Sequence, residues 1–166
     1  HLKTHGGSMR YYIAHENSNF KVEKIVKKTH KIELDHKLNK FSTYKKFGKK
    51  VKKSKIKLLS LLKKLKKNNK TIVSYGATYK SATIFNYCKI DKNLIDYVID
   101  TTKNKQNKFT PGSHLKIFSP EKQPLKKIDY YFLGAWNFKN EILLKEKEYI
   151  LGGGKFISHV PEVKIL

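Results

Sequence analysis

Apolar residues recur along this chain in two rhythms, and the change between them divides it. From Lys21 to Asn68 the rhythm is helical. Leu34, Leu38 and Phe41 lie at helical spacing, and Leu58, Leu61, Leu62 and Leu65 repeat at i, i+3, i+4 and i+7. Lys50, Lys53, Lys57, Lys64 and Lys67 fall on the opposite face, so the pattern predicts helices with one buried and one solvated side. Gly48 is the expected break between two of them. Past Asn68-Asn69 the apolar runs become short and rich in β-formers. Thr71–Tyr75, Tyr97–Asp100, Leu115–Phe118, Tyr130–Gly134 and Lys155–Ser158 each read as a strand. Between them lie a predicted helix over Lys80–Cys88, with Ala82, Ile84 and Phe85 inward, and a helix start at Ser119-Pro120. Asn140–Leu151 reads as a further helix, stopped by Gly152-Gly153-Gly154. Strands alternating with helices predict a mostly parallel sheet covered on both faces, an α/β three-layer sandwich. Ahead of it, Met9–Ala14 reads as a leading strand after the turn Gly6-Gly7-Ser8, and His15–Asn19 as a loop.

Composition changes this picture little. At 166 residues with 39% hydrophobic content the chain suits one domain with a real core. It has no apolar run of about 20 residues and no signal-peptide pattern at its start. A single cysteine, Cys88, excludes an internal disulfide framework and fits a reducing, cytoplasmic compartment. The net charge of +24 raises the question of a nucleic-acid or anionic-membrane partner. Yet Arg10 is the sole arginine, and base readout and phosphate clamps favour arginine. The lysines are spread along the chain beside many Asn, Ile and Tyr, as AT-rich coding produces. They read as a solvated face before they read as a polyanion site.

The chemistry concentrates at strand ends. In open α/β sheets, ligands bind beyond the carboxyl ends of strands, beside helix N-termini. Gly76-Ala77-Thr78 follows the first core strand, with Lys80 and Ser81 in the helix behind it. Tyr79 stands where a Walker A loop needs glycine, and no G-x-G-x-x-G is present. Asp100 closes the second strand, where an acid either holds a ribose or caps its own loop. Two further loops share that edge. One carries Lys105, Gln106, Thr110, Pro111, Gly112, Ser113 and His114; the other is Ala135-Trp136-Asn137, which offers a stacking face and an amide. His30 and His36 are six apart and share no helix face, no other histidines pair at metal spacing, and Cys88 suits a core thiol. Read alone, these residues leave three functions open: a sugar- or nucleotide-binding enzyme domain, a dinucleotide- or CoA-binding domain, and a lysine-rich nucleic-acid module.

Taken in order, the motifs resemble one family. Tyr75-Gly76-Ala77-Thr78-Tyr79-Lys80-Ser81 with Asn86-Tyr87-Cys88 is similar to its G-Y-G-A-T-G-K-S…N-Y-C segment. Ile95–Asp100 with Lys105-Gln106 resembles its strand and K-Q loop, and Thr110-Pro111-Gly112-Ser113-His114 its P-G-T-H. Ala135-Trp136-Asn137, Gly153-Gly154-Lys155-Phe156 and Pro161-Glu162-Val163 follow, and Thr4-His5-Gly6-Gly7-Ser8 resembles the opening T-H-G-G-S. The family is the C-methyltransferases of nucleotide-linked deoxysugars, and the likeness is to their C-terminal, Rossmann-like domain. It implies an organisation of 1–20 as leading strand and interdomain motif, 21–69 as a basic helical segment and 70–166 as the Rossmann-like core. It implies a SAM-dependent transferase whose zinc-binding and SAM-binding parts are not in this chain, so that the fragment alone is inactive. The implied partners are those two domains and a nucleotide-sugar. The implied substrate contacts are His5, Gly6, Gly7, Ser8, Gly76, Ala77, Thr78, Lys80, Ser81, Lys105, Gln106, His114, Trp136 and Asn137. The catalytic base is placed elsewhere in the enzyme, with His5 the candidate inside this chain. Two departures stand out: Tyr79 replaces the family's glycine, and Thr102 stands where it often has arginine.

Overall fold

The computed structural model describes residues 1–4, 6–124 and 127–166. The chain divides into two compact units, His1–Lys53 and Ser54–Leu166.

In the first unit the helical rhythm becomes α1 (Lys24–Asp35) and the first half of α2 (Phe41–Lys67). The break falls at His36–Lys40, not at Gly48. Lys37 turns left-handed (φ 56°) while the His36 and Lys37 amides bond back to the Ile32 and Leu34 carbonyls. Leu34 and Leu38 therefore belong to different segments. Gly48 lies inside α2, where a glycine costs only about 1 kcal/mol, too little to end a 27-residue helix. Met9–Ala14 is not a paired strand here; the pairing nearby is an isolated antiparallel bridge between Leu2 and Ser8.

The second unit is the predicted α/β core. Its strands are β1 (Ile72–Tyr75), β2 (Tyr97–Ile99), β3 (Ile117–Phe118), β4 (Tyr130–Leu133), β5 (Lys155–Ser158) and β6 (Lys164–Ile165). They form one sheet in the order β3-β2-β1-β4-β5-β6, parallel except for β6, which pairs antiparallel with β5. This is the Rossmann-like order, with the topological switch between β1 and β4. The missed β6 is two residues long, below what a sequence pattern resolves.

Strand periodicity sorts side chains onto two faces. Ile72, Val98, Ile117, Phe132 and Ile157 meet Leu58, Leu62 and Leu65 of α2 and Phe85 and Cys88 of α3 (Tyr79–Cys88). Val73, Tyr97, Ile99, Tyr131, Leu133 and Phe156 face the other way, against Ile142 of α4 (Lys139–Lys145) and Tyr149 of α5 (Lys147–Leu151). The predicted helix over Asn140–Leu151 is thus two, broken at Glu146, whose carboxylate accepts a 2.9 Å hydrogen bond from the Tyr75 hydroxyl. The start at Ser119-Pro120 yields a single 3₁₀ turn, Pro120–Lys122, capped by Ser119. Among the described residues no helix is long and apolar enough to cross a membrane.

Candidate functional site

Three loops meet at the carboxyl edge of the sheet because backbone and side-chain bonds staple them there. The first is the β1–α3 turn. Gly76 has φ +97°, and a Cβ on it would lie 2.8 Å from the Ala135 Cβ. Thr78 caps α3 with a full capping box: its hydroxyl accepts from the Ser81 amide at 3.0 Å while the Ser81 hydroxyl accepts from the Thr78 amide at 2.9 Å. The Thr78 hydroxyl also donates to the Gly134 carbonyl (2.9 Å), and the Ala135 amide donates to the Tyr75 carbonyl (3.1 Å). A Cβ on Gly134 would meet the Gly76 carbonyl oxygen at 2.5 Å and the Ser74 hydroxyl at 2.7 Å. The switch point between β1 and β4 is therefore closed by tight backbone contact.

Asp100 ties in the next loop. Its carboxylate accepts from the Ala77 amide (2.8 Å), the Thr102 amide (2.8 Å) and the Lys105 ammonium (3.2 Å). Burial acts to raise its pKa, but these bonds outweigh it and hold the carboxyl below the usual aspartate range. Asp100 is the loop-capping acid of the two roles its position allows. Gln106 donates to the Asp100 carbonyl at 2.9 Å. Of the residues implied by resemblance, Lys105 and Gln106 thus organise the edge as well as line it.

Behind these turns, the Pro111–His114 loop is held to α3 by Asn86, whose amide donates to the Pro111 carbonyl at 3.0 Å. A side chain on Gly112 (φ +77°) would collide with Asn86. His114 is exposed and left-handed (φ 52°). Trp136 is half-buried on the second core face, and the Asn137 side-chain oxygen is buried with no hydrogen-bond partner among the described residues.

The open space lies one strand further out. Between the loops after β2 and β3 is a cavity of about 510 Å³, within the range of small-molecule sites. Gln106 lines it together with Thr101, Lys103, Asn107, Phe118, Ser119, Glu121 and Lys122, and of these only Gln106 is a substrate contact implied by the sequence. Their common signal is position: Thr101–Asn107 follow the predicted strand Tyr97–Asp100, and Phe118–Lys122 run from the last residue of the predicted strand Leu115–Phe118.

The remaining implied contacts stand in the first unit. Gly6 (φ 85°) and Gly7 (φ 116°) make a turn in which the Gly7 amide donates to the Thr4 carbonyl at 2.9 Å and the Ser8 hydroxyl donates to the same oxygen at 3.3 Å. His5 lies outside the described residues. Among the described residues no three His, Cys, Asp or Glu side chains gather as a metal site, so these residues do not fit zinc.

The described C-methyltransferase C-terminal domain family matches residues 3–161 of the chain. A similar curated protein is the C-methyltransferase NovU of Streptomyces niveus, 32% identical over 162 residues. That match covers 98% of this chain but 39% of the relative, so the chain spans well under half of that protein's length.

Proposed function

Because the chain belongs to the C-methyltransferase C-terminal domain family, we propose that it serves a SAM-dependent transferase by holding the nucleotide end of a nucleotide-linked keto-deoxysugar. SAM, bound by another part of that enzyme, supplies the electrophilic methyl group. A base removes the proton from the carbon beside the ketone, and the resulting enolate carbon attacks the methyl. His5 is the candidate base in this chain; otherwise the base comes from the SAM-binding part. Methyl transfer by this reading needs the SAM- and zinc-binding parts as well.

The single observation that supports a holding role is the stapled carboxyl edge with its adjoining cavity. A phosphate-bearing ligand there meets Lys103 and Lys122, which outnumber the one carboxylate on the wall, Glu121, and its polar groups meet the Gln106 and Asn107 amides. Phe118, half-buried on the cavity wall, offers an apolar surface for a base. Lys80, Trp136 and Asn137 flank the same sheet edge and suit the sugar side.

Amide NMR of the 166-residue chain titrated with TDP, NAD, CoA and duplex DNA tests this. TDP is expected to shift Lys103, Gln106, Lys122 and Trp136. Shifts with NAD or CoA alone overturn the reading. So does tight DNA binding that falls steeply with salt, which is the signature of a lysine-rich nucleic-acid module.

A further inference from the structure

The segment Met9–Ala14 is built for a sheet yet has none in this chain. Its sequence, Met-Arg-Tyr-Tyr-Ile-Ala, is dominated by strand formers. No backbone hydrogen bond among the described residues engages it. Tyr11 is 71% exposed, Tyr12 87% and Ile13 94%. In an extended chain, successive side chains point to opposite sides, so this stretch bears bare apolar groups on both. An edge strand with one wet face bares only alternate positions. Apolar residues on both sides suit a strand covered on both faces. The chain also enters the segment in strand geometry. Leu2 and Ser8 exchange both backbone bonds, at 2.8 and 2.9 Å, across the tight turn that Gly6 and Gly7 permit. This antiparallel bridge leads into Met9, and among the described residues no backbone hydrogen bond engages the segment beyond it.

The matched relative extends far beyond the matched region, since this chain covers 39% of it. We propose that Met9–Ala14 is a strand of another domain's sheet: it inserts into the SAM-binding α/β sheet of the full-length transferase, paired through its backbone. This rests on reading the chain as one domain of such an enzyme. The unpaired backbone and the exposed Tyr11, Tyr12 and Ile13 are then the two halves of one interface, hydrogen bonds along the strand and apolar burial above and below it.

Hydrogen exchange on the full-length transferase tests the proposal. The amides of Tyr11, Tyr12 and Ile13 are expected to exchange about a hundredfold or more slower than in a free peptide, as paired strands do. Ile13→Pro, which removes a donor and is excluded from central strands, returns the segment to fast exchange, whereas Ile13→Val keeps it slow. Fast exchange of the segment in the unmodified full-length enzyme overturns the proposal. Slow exchange already present in the 166-residue chain alone also overturns it, because the strand is then completed by this chain or a second copy. A protected segment in an enzyme that transfers no methyl group supports the strand and counts against the transferase reading instead, so the two fail separately.

Discussion

Replacing His159 with phenylalanine separates the burial of that ring from its charge. His159 is 5% exposed, its ring lies parallel to Phe132 at 5.0 Å, and neither ring nitrogen has a hydrogen-bond partner among the described residues. Burial pushes its pKa down to about 4 from the ordinary 6.5. The unfolded imidazole takes up a proton as the pH falls through its ordinary value, while the folded ring resists until about 4. Protonation in that window favours the unfolded chain. By linkage, the folded state at pH 5 loses about 2 kcal/mol relative to pH 7.5. Asp100 and Asp129, whose pKa values hydrogen bonds depress against the opposing effect of burial, stay ionised at pH 5. Their contribution is present above the ordinary aspartate pKa and is lost only as the pH falls through their lowered values, so the two effects occupy different pH ranges. The Phe variant keeps an aromatic ring against Phe132 and removes the titrating group. Urea unfolding followed by the fluorescence of Trp136, the chain's single tryptophan, reads the second unit directly. For the unsubstituted chain the midpoint is expected to fall by about 1 M between pH 7.5 and pH 5. For His159→Phe the fall is expected to be less than half of that. Equal falls in both would refute the reasoning.

Three further substitutions probe the stapled edge and the cavity. Gly134→Ala forces a methyl against the Gly76 backbone carbonyl and the buried Ser74 hydroxyl, and is expected to cost about 2–3 kcal/mol in chemical denaturation. Asp100→Asn turns an amide NH₂ toward one of the backbone donors now satisfied and removes the Lys105 ion pair; a loss of about 1–3 kcal/mol is expected, together with a flatter acid limb in a pH series. Lys103→Ala with Lys122→Ala is expected to weaken TDP binding about tenfold by calorimetry while leaving the melting temperature unchanged, because both side chains are exposed and neither forms an ion pair among the described residues.

What the sequence disclosed follows from how each element is held. The core strands were legible because each is a short apolar run bounded by turn residues, and all five appear near the expected positions. The helix ends were less so. Gly48 was a plausible break on propensity alone, but one glycine does not outweigh the remaining turns of α2. At the break, Glu146 accepts a hydrogen bond from Tyr75, 71 residues away, a contact that no local pattern reveals. The stapled turn was visible as Gly76, Thr78, Lys80 and Ser81. Its closure by Gly134 and Ala135 was not, because that contact spans β1 and β4. The cavity beside β2 and β3 was missed for the same reason: Lys103 and Lys122 are 19 positions apart in the chain and share a wall only through the parallel pairing of β2 with β3. Met9–Ala14 is the opposite case, a strand pattern with no pairing in this chain.

The central claim is that this domain belongs to an enzyme that methylates carbon on a nucleotide-linked keto-sugar. The direct measurement uses the full-length transferase with SAM carrying a trideuteriomethyl group and a TDP-linked keto-deoxysugar, followed by mass spectrometry and NMR of the product. The account predicts a trideuteriomethyl group bonded to the sugar carbon beside the ketone. A label found on oxygen or nitrogen, or transfer to an acceptor without a nucleotide, contradicts it.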